Sequence, residues 1–215
     1  MSTTLTMLPK SNVLLILWLL LTGLACAETP AENLYSTLER RLQALNSLDI
    51  RYEARAESDN ALIEGRLVWV KGDRFFHDTP EWSVCETGRE QWRYLKTQNT
   101  LIRENISEQS DWLPEEVLFN ARKNFRAVQL ENRPDGDRVL TLEPFDKTLG
   151  GTVTLTFSAD RDYPGALDLR PPDGTVMHYS VMVWNENGPI DSALFTPPEV
   201  PAENLLDFRG AGTSK

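Results

Sequence analysis

The segment DIRYEARAESDNALIEGRLVWVKGD, residues 49–73, decides the fold. Ile50, Tyr52 and Ala54 alternate with Arg51, Glu53 and Arg55, and Ile63, Gly65, Leu67 and Trp69 resume the alternation after a polar break. A period of two sends successive side chains to opposite faces, so the segment reads as two half-buried strands. Lys71-Gly72-Asp73 supplies a turn. The pattern recurs downstream at Phe75-Phe76, Trp82 and Val84, Trp92 and Tyr94, Leu101-Ile102, Ala127 to Leu130, Val139 to Leu142, Val153 to Phe157, Leu167 and Leu169, Met177 to Val183, and Ile190 to Phe195. Thr87-Gly88, Pro134-Asp135-Gly136-Asp137, Gly150-Gly151, Pro164-Gly165, Pro172-Asp173-Gly174 and Asn187-Gly188 separate these runs, and Asp-Gly or Asn-Gly between alternating runs is a strong hairpin signal. About eleven strands joined mostly by hairpins predict a large antiparallel sheet. A sheet of that size must curl or close to bury its apolar side.

Two helices are available to cover it. Thr29-Pro30, with Glu32 three residues after Thr29, has the form of a capping box with proline in the first turn. Leu34, Leu38, Leu42, Leu45 and Leu48 then recur at spacings of four and three, which is one helical face. A second, short helix is expected over 114–125. Pro114-Glu115-Glu116 starts it, and Val117, Leu118, Ala121 and Phe125 form its apolar side. The fold class is therefore mainly β with α: a strongly curved antiparallel sheet whose concave apolar face is covered by an N-terminal helix and a short mid-chain helix.

The chain has 215 residues, with 22 Lys+Arg against 32 Asp+Glu and a net charge of -10. That balance excludes a binder held by nucleic-acid phosphates and disfavours lasting attachment to anionic lipid. Residues 13–21 form an unbroken apolar run, too short to span a bilayer but right for the central part of a secretory signal. Ala25-Cys26-Ala27 offers small residues for cleavage, so 1–27 reads as a signal peptide and 28–215 as one mature domain with a frayed end from Gly210. The alternative takes Cys26 as a lipid-modified first residue. Cys85 is then the single cysteine of the mature chain; beside Val84, and with Glu81 and Glu86 nearby, it reads as a buried strand residue rather than a reactive thiol.

Motifs for covalent or phosphate chemistry are missing. There is no Gly-x-Ser-x-Gly elbow, no glycine-rich phosphate loop and no dinucleotide fingerprint. His77 and His178 are far apart in sequence and have no neighbouring Cys or His; His178 is out of phase with Met177 and Tyr179 and is expected to face solvent. The expectation is a non-enzyme with no cofactor and no metal. What the chain offers in quantity is apolar surface, including Trp69, Trp82, Trp92, Trp112 and Trp184.

Four stretches carry a family resemblance. Residues 65–71, followed by Phe75-Phe76, resemble the second-strand region of the periplasmic lipoprotein carrier family LolA. Residues 87–94 are similar to that family's Asp-Gly-x-x-Leu-Trp-x-Tyr hairpin, residues 137–144 to its strand ending in proline, and residues 187–198 to its closing segment. The resemblance runs over 34–201 in the family's order and spacing. It implies a half-open β-barrel whose helices form a lid over a hydrophobic cavity. It also implies a periplasmic chaperone, expected to be a monomer, that takes acylated lipoproteins from an inner-membrane ABC release complex to an outer-membrane receptor lipoprotein. Where the family carries Arg-Pro, this chain has Gly72-Asp73, and Arg74 is the candidate replacement for the lid-latching arginine.

The cavity and lid residues expected from strand parity and helix phase are Leu38, Leu42, Leu67, Trp69, Trp92, Tyr94, Leu118, Leu140, Leu142, Leu155, Phe157, Tyr179, Val181 and Val183. The competing readings are a receptor-type lipoprotein of the same fold anchored through Cys26, and a lipid-sensing regulatory domain. Mass spectrometry of the mature N-terminus separates soluble from anchored: the soluble carrier begins at an unmodified Glu28, and an acylated Cys26 would establish the receptor form.

Overall fold

A computed structural model describes residues 28–72, 74–88, 90–106, 118, 124–146, 150–172 and 174–209. Helix α1 spans Pro30–Ala44. Its predicted capping box is formed: the Thr29 amide donates to Glu32 Oε2 at 2.7 Å and the Glu32 amide donates to Thr29 Oγ1 at 3.2 Å. The helix stops because Leu45 turns extended at its C-cap, and Leu48, the last of the leucine series, already belongs to the first strand.

Eleven strands follow the period-two runs: β1 Ser47–Ala56, β2 Asp59–Val70, β3 Arg74–Asp78, β4 Trp82–Thr87, β5 Glu90–Leu95, β6 Thr100–Asn105, β7 Phe125–Asn132, β8 Arg138–Pro144, β9 Thr152–Phe157, β10 Ala166–Arg170 and β11 Met177–Glu186. A twelfth, β12 Leu205–Asp207, lies near the end. Together they form one open, curved sheet in the order β12-β6-β5-β4-β3-β2-β1-β11-β10-β9-β8-β7. Two antiparallel meanders, β1–β6 and β7–β11, are joined where β11 pairs with β1 from Leu48↔Glu186 to Ala56↔Met177. Only β12 runs parallel, beside β6.

Two parts of the sequence reading change. Residues 190–195, expected as a strand, hold a short 3-10 turn at Ser192–Phe195 instead. The Asp191 carboxylate accepts from the Ala193 amide at 2.9 Å, and both sides of β11 are already taken by β1 and β10. The apolar residues of this segment pack on the sheet rather than join it. The helix expected over 114–125 falls mostly outside the described residues; Leu118 is helical and buried, while Phe125 opens β7. The signal peptide at 1–27 and the tail from Gly210 also lie outside them. No helix among the described residues is long and apolar enough to cross a membrane.

Each half of the sheet buries a different face. Under α1, Leu38 and Leu42 join Leu48 and Ile50 of β1, Leu67, Leu140, Leu142, Leu155 and Phe157 in one core. On the opposite face, Val68, Phe76, Cys85, Trp92 and Leu101 form a second core, capped by Ile190, Leu194, Phe195 and Val200 from the segment after β11. We call these the helix face and the strap face.

Gly65 has a specific job in β2. It pairs with Tyr52, and a β-carbon there would stand 2.2 Å from the Tyr52 ring. A strand glycine commonly marks such a close approach. The bare backbone lets the tyrosine lie across β2 and bond His77 on β3. Gly65→Ala should cost about 1–3 kcal/mol by overpacking, measured by urea unfolding. In a Tyr52→Ala background the same change should cost little, and the cycle should show coupling; equal cost in both backgrounds would contradict the steric account.

Candidate functional site: an apolar sheet face beneath a helix

The helix face is built from the alternate residues of β1, β2 and β8–β11. Leu140 and Leu142 pair with Leu155 and Val153, and Leu155 pairs with Leu167, so the inward leucines line up across three strands. Leu67, Leu140, Leu142, Leu155 and Phe157 are at most 1% exposed. Trp69, Tyr179 and Val181 are half-buried against the same core. Leu118 and the two helix leucines complete it.

Three expected cavity residues lie elsewhere. Trp92 and Tyr94 belong to the strap-face core. The register shows why: Leu67 pairs with His77, His77 with Val84, and Val84 with Arg93, so the inward position in β5 is Arg93. Val183 is exposed and opposite Arg51. A bulge lets Arg51 pair with Val183 but Tyr52 with Val181, which turns Met182 and Val183 outward and returns Trp184 to the helix side beside Ile50.

A polar aromatic group interrupts the apolar face. The Tyr52 hydroxyl is hydrogen-bonded to His77 Nε2, and both side chains are buried. Tyr179 meets Tyr52 edge-on at 5.3 Å between centroids, and Trp82 meets His77 at 4.7 Å. His178, by contrast, is exposed, with Nδ1 2.8 Å from Asp168. Burial, followed by the nearby Glu86 charge, pushes the Cys85 thiol up, although a Thr87 bond opposes this; it is a buried strand residue. Among the described residues no three His, Cys, Asp or Glu side chains converge on one point.

The helix is fastened at two places. Its body packs on β7 and β8, at one margin of the sheet. Its last turn is tied to the end of β11: Arg41 Nε donates to Glu186 Oε1 at 2.7 Å, and Trp184 Nε1 donates to the same oxygen at 2.7 Å. Tyr163 stacks on Trp184 at 4.8 Å, and the Arg41 guanidinium lies over the Tyr163 ring. Burial acts to raise the Glu186 carboxyl, but the bonds from Arg41 and Trp184 outweigh it and hold the group below its ordinary value. Arg74, the expected latch, does something else. It sits on the strap face with its guanidinium 5.1 Å from the Phe195 ring centre. Sequence reading missed the Arg41–Glu186 pair because 145 residues separate them.

No family model matches the chain, and no curated protein matches its sequence. Solved structures do. An uncharacterised conserved protein from Thermus thermophilus aligns with a TM-score of 0.53 at 14% identity, over 83% of this chain and 99% of that one, which shows a shared fold. A candidate outer-membrane lipoprotein-sorting domain from Vibrio parahaemolyticus aligns at 0.46 and 12% identity, over 76% and 95%. A LolA superfamily protein from Nitrosomonas europaea aligns at 0.42 and 12% identity, over 79% and 99%. These last two scores are too low to bear on function.

The Arg41–Glu186 tie should loosen in acid. A carboxyl held below its ordinary value contributes stability above that value and loses it as the pH falls through the lowered one. The protection of the α1 amides against hydrogen exchange, taken relative to the intrinsic rate at each pH, should therefore fall selectively as the pH drops below 4.5, the ordinary glutamate value. Arg41→Met should bring fast exchange already at neutral pH. An α1 whose exchange in Arg41→Met matches the parent at every pH would show that the tie does not hold the helix.

Proposed function

We propose that the chain is a periplasmic carrier that shelters lipoprotein acyl chains on the helix face after α1 moves aside. The observation that carries this reading is the combination of a broad, largely apolar sheet face with a helical cover fastened at one margin and through Arg41 to the end of β11.

The magnitudes are compatible. Burying a methylene is worth about 0.8 kcal/mol, so a sixteen-carbon chain brings about 12 kcal/mol. Leu38, Leu42 and Leu45 of the helix segment are each at most 4% exposed, and withdrawing three leucines costs about 5–9 kcal/mol. Cargo and cover thus compete on similar terms, and an acyl chain can displace the helix without being held irreversibly. With no cargo, the helix must return, because an uncovered face of this kind invites aggregation. The net negative charge keeps the carrier from settling on anionic lipid.

Donor and acceptor follow from the sequence resemblance: an inner-membrane ABC lipoprotein-release complex loads the carrier, and an outer-membrane receptor lipoprotein unloads it. No catalytic step and no cofactor enters this scheme.

Photo-crosslinking in the periplasm tests it. Benzoylphenylalanine at Trp69 or Tyr179, on the helix face, should capture acylated lipoprotein, and the same probe at Val183, on the outside, should not. Equal capture at all three positions, or lipoprotein absent from material purified from the periplasm, would overturn the carrier assignment.

A further inference from the structure

A concavity lies away from the helix face, at the strap-face end of β1, β2 and β3. It has a volume of about 280 Å³ and is lined by Asn46, Ser47, Val70, Arg74, Asn187, Gly188, Ile190, Ser192 and Phe195. We propose that it binds a monocarboxylate carrying a short apolar group, with Arg74 as the anion-binding residue.

Charge comes first. Arg74 is half-buried and, among the described residues, supplies the one charged side chain in the lining. Among the described residues no acid pairs with it: its described contact is with the face of Phe195, at 5.1 Å. This is unusual in a chain whose 32 acids outnumber its 22 bases, because a partly buried cation is ordinarily paired. The ring contact holds the guanidinium against the apolar wall, and no described acceptor takes its N–H donors. A guanidinium with free donors can meet a carboxylate with two parallel hydrogen bonds.

The remaining walls narrow the ligand. The Asn187 side-chain oxygen is committed to the Asn46 amide at 2.7 Å, which leaves the Asn187 amino group as a donor. Ser47 is committed to the Gly188 carbonyl at 2.9 Å, so it braces the wall. Ser192 adds a hydroxyl at the rim, and Val70, Ile190 and Phe195 make the apolar side. One cation suits a single negative charge. The volume equals about nine water molecules, larger than an isolated carboxylate needs and small for a long chain. Two sources share this chemistry: the C-terminal residue of a peptide, when apolar, and a free short aliphatic acid.

Calorimetric titration of the mature chain with N-acetyl-glycyl-leucine, its C-terminal amide, hexanoate and inorganic phosphate tests the site. At least one of the two acids should bind, and whichever binds more tightly identifies the source. The peptide amide should bind at least about tenfold more weakly than the peptide acid if the peptide is the ligand, since a charge-assisted bond is worth about 1.5–3 kcal/mol. Arg74→Met, which keeps the packing on Phe195, should lose binding by a similar factor, and Arg74→Lys should recover part of it. Ser192→Glu, at an exposed rim position, should abolish binding with thermal unfolding unchanged, which covers the case in which Arg74→Met fails to fold. Neither acid binding, phosphate binding more tightly than both acids, or binding unaffected in Ser192→Glu would overturn the proposal.

Discussion

The pairing of β1 with β11 is the interaction on which the molecule depends. It brings the start of the described chain against its last long strand and joins two meanders that would otherwise be separate, twisted ribbons. Every other antiparallel pair in the sheet can form locally, through a hairpin or a short connection. This one closes more than a hundred residues, and the entropy of that closure must be met before the contacts it permits are gained. Once formed, it brings Ile50 and Trp184 to the same side and makes the helix face continuous across both meanders.

Joining the meanders also explains why two covers are needed. A curved sheet of twelve strands has two sides, and neither half is self-sufficient. Strands β7–β11 and the inner side of β1 and β2 are capped by α1, while β2–β6 are capped from behind by the segment that follows β11. Strand β2 lies where the two regimes overlap, so Leu67 and Val68, adjacent in sequence and facing opposite ways, are both fully buried. Gly65 belongs to the same strand and is the point at which an aromatic ring crosses the sheet instead of standing off it.

Much of this was legible in local patterns. Period two located β1 to β11, and Thr29, Pro30 and Glu32 located the start of α1, because both signals reside within a few neighbouring residues. The side toward which each strand points was only partly legible. Trp92 and Tyr94 alternate as clearly as Leu140 and Leu142, but alternation says that one side is apolar and not which cover it meets. The reversal between the two halves of the sheet is set by distant segments. Val183 was misplaced by one bulge, and Arg74 by the assumption that the latch lies next to the turn at Gly72. Strand β12 gave no signal, since three exposed residues beside a strand a hundred positions earlier have no period to read.

That last strand has a further consequence. An open sheet ends in two rows of unsatisfied amides and carbonyls, each a seed on which a second copy could grow. At the β6 margin, β12 offers a row only three residues long. Immediately beyond it Arg209 clasps Asp207 at 2.6 Å and Glu90 at 2.9 Å, crowding the exit with charge. The short, ionised hem thus gives a second copy little backbone to pair with at this margin, in the way natural sheets blunt their edges.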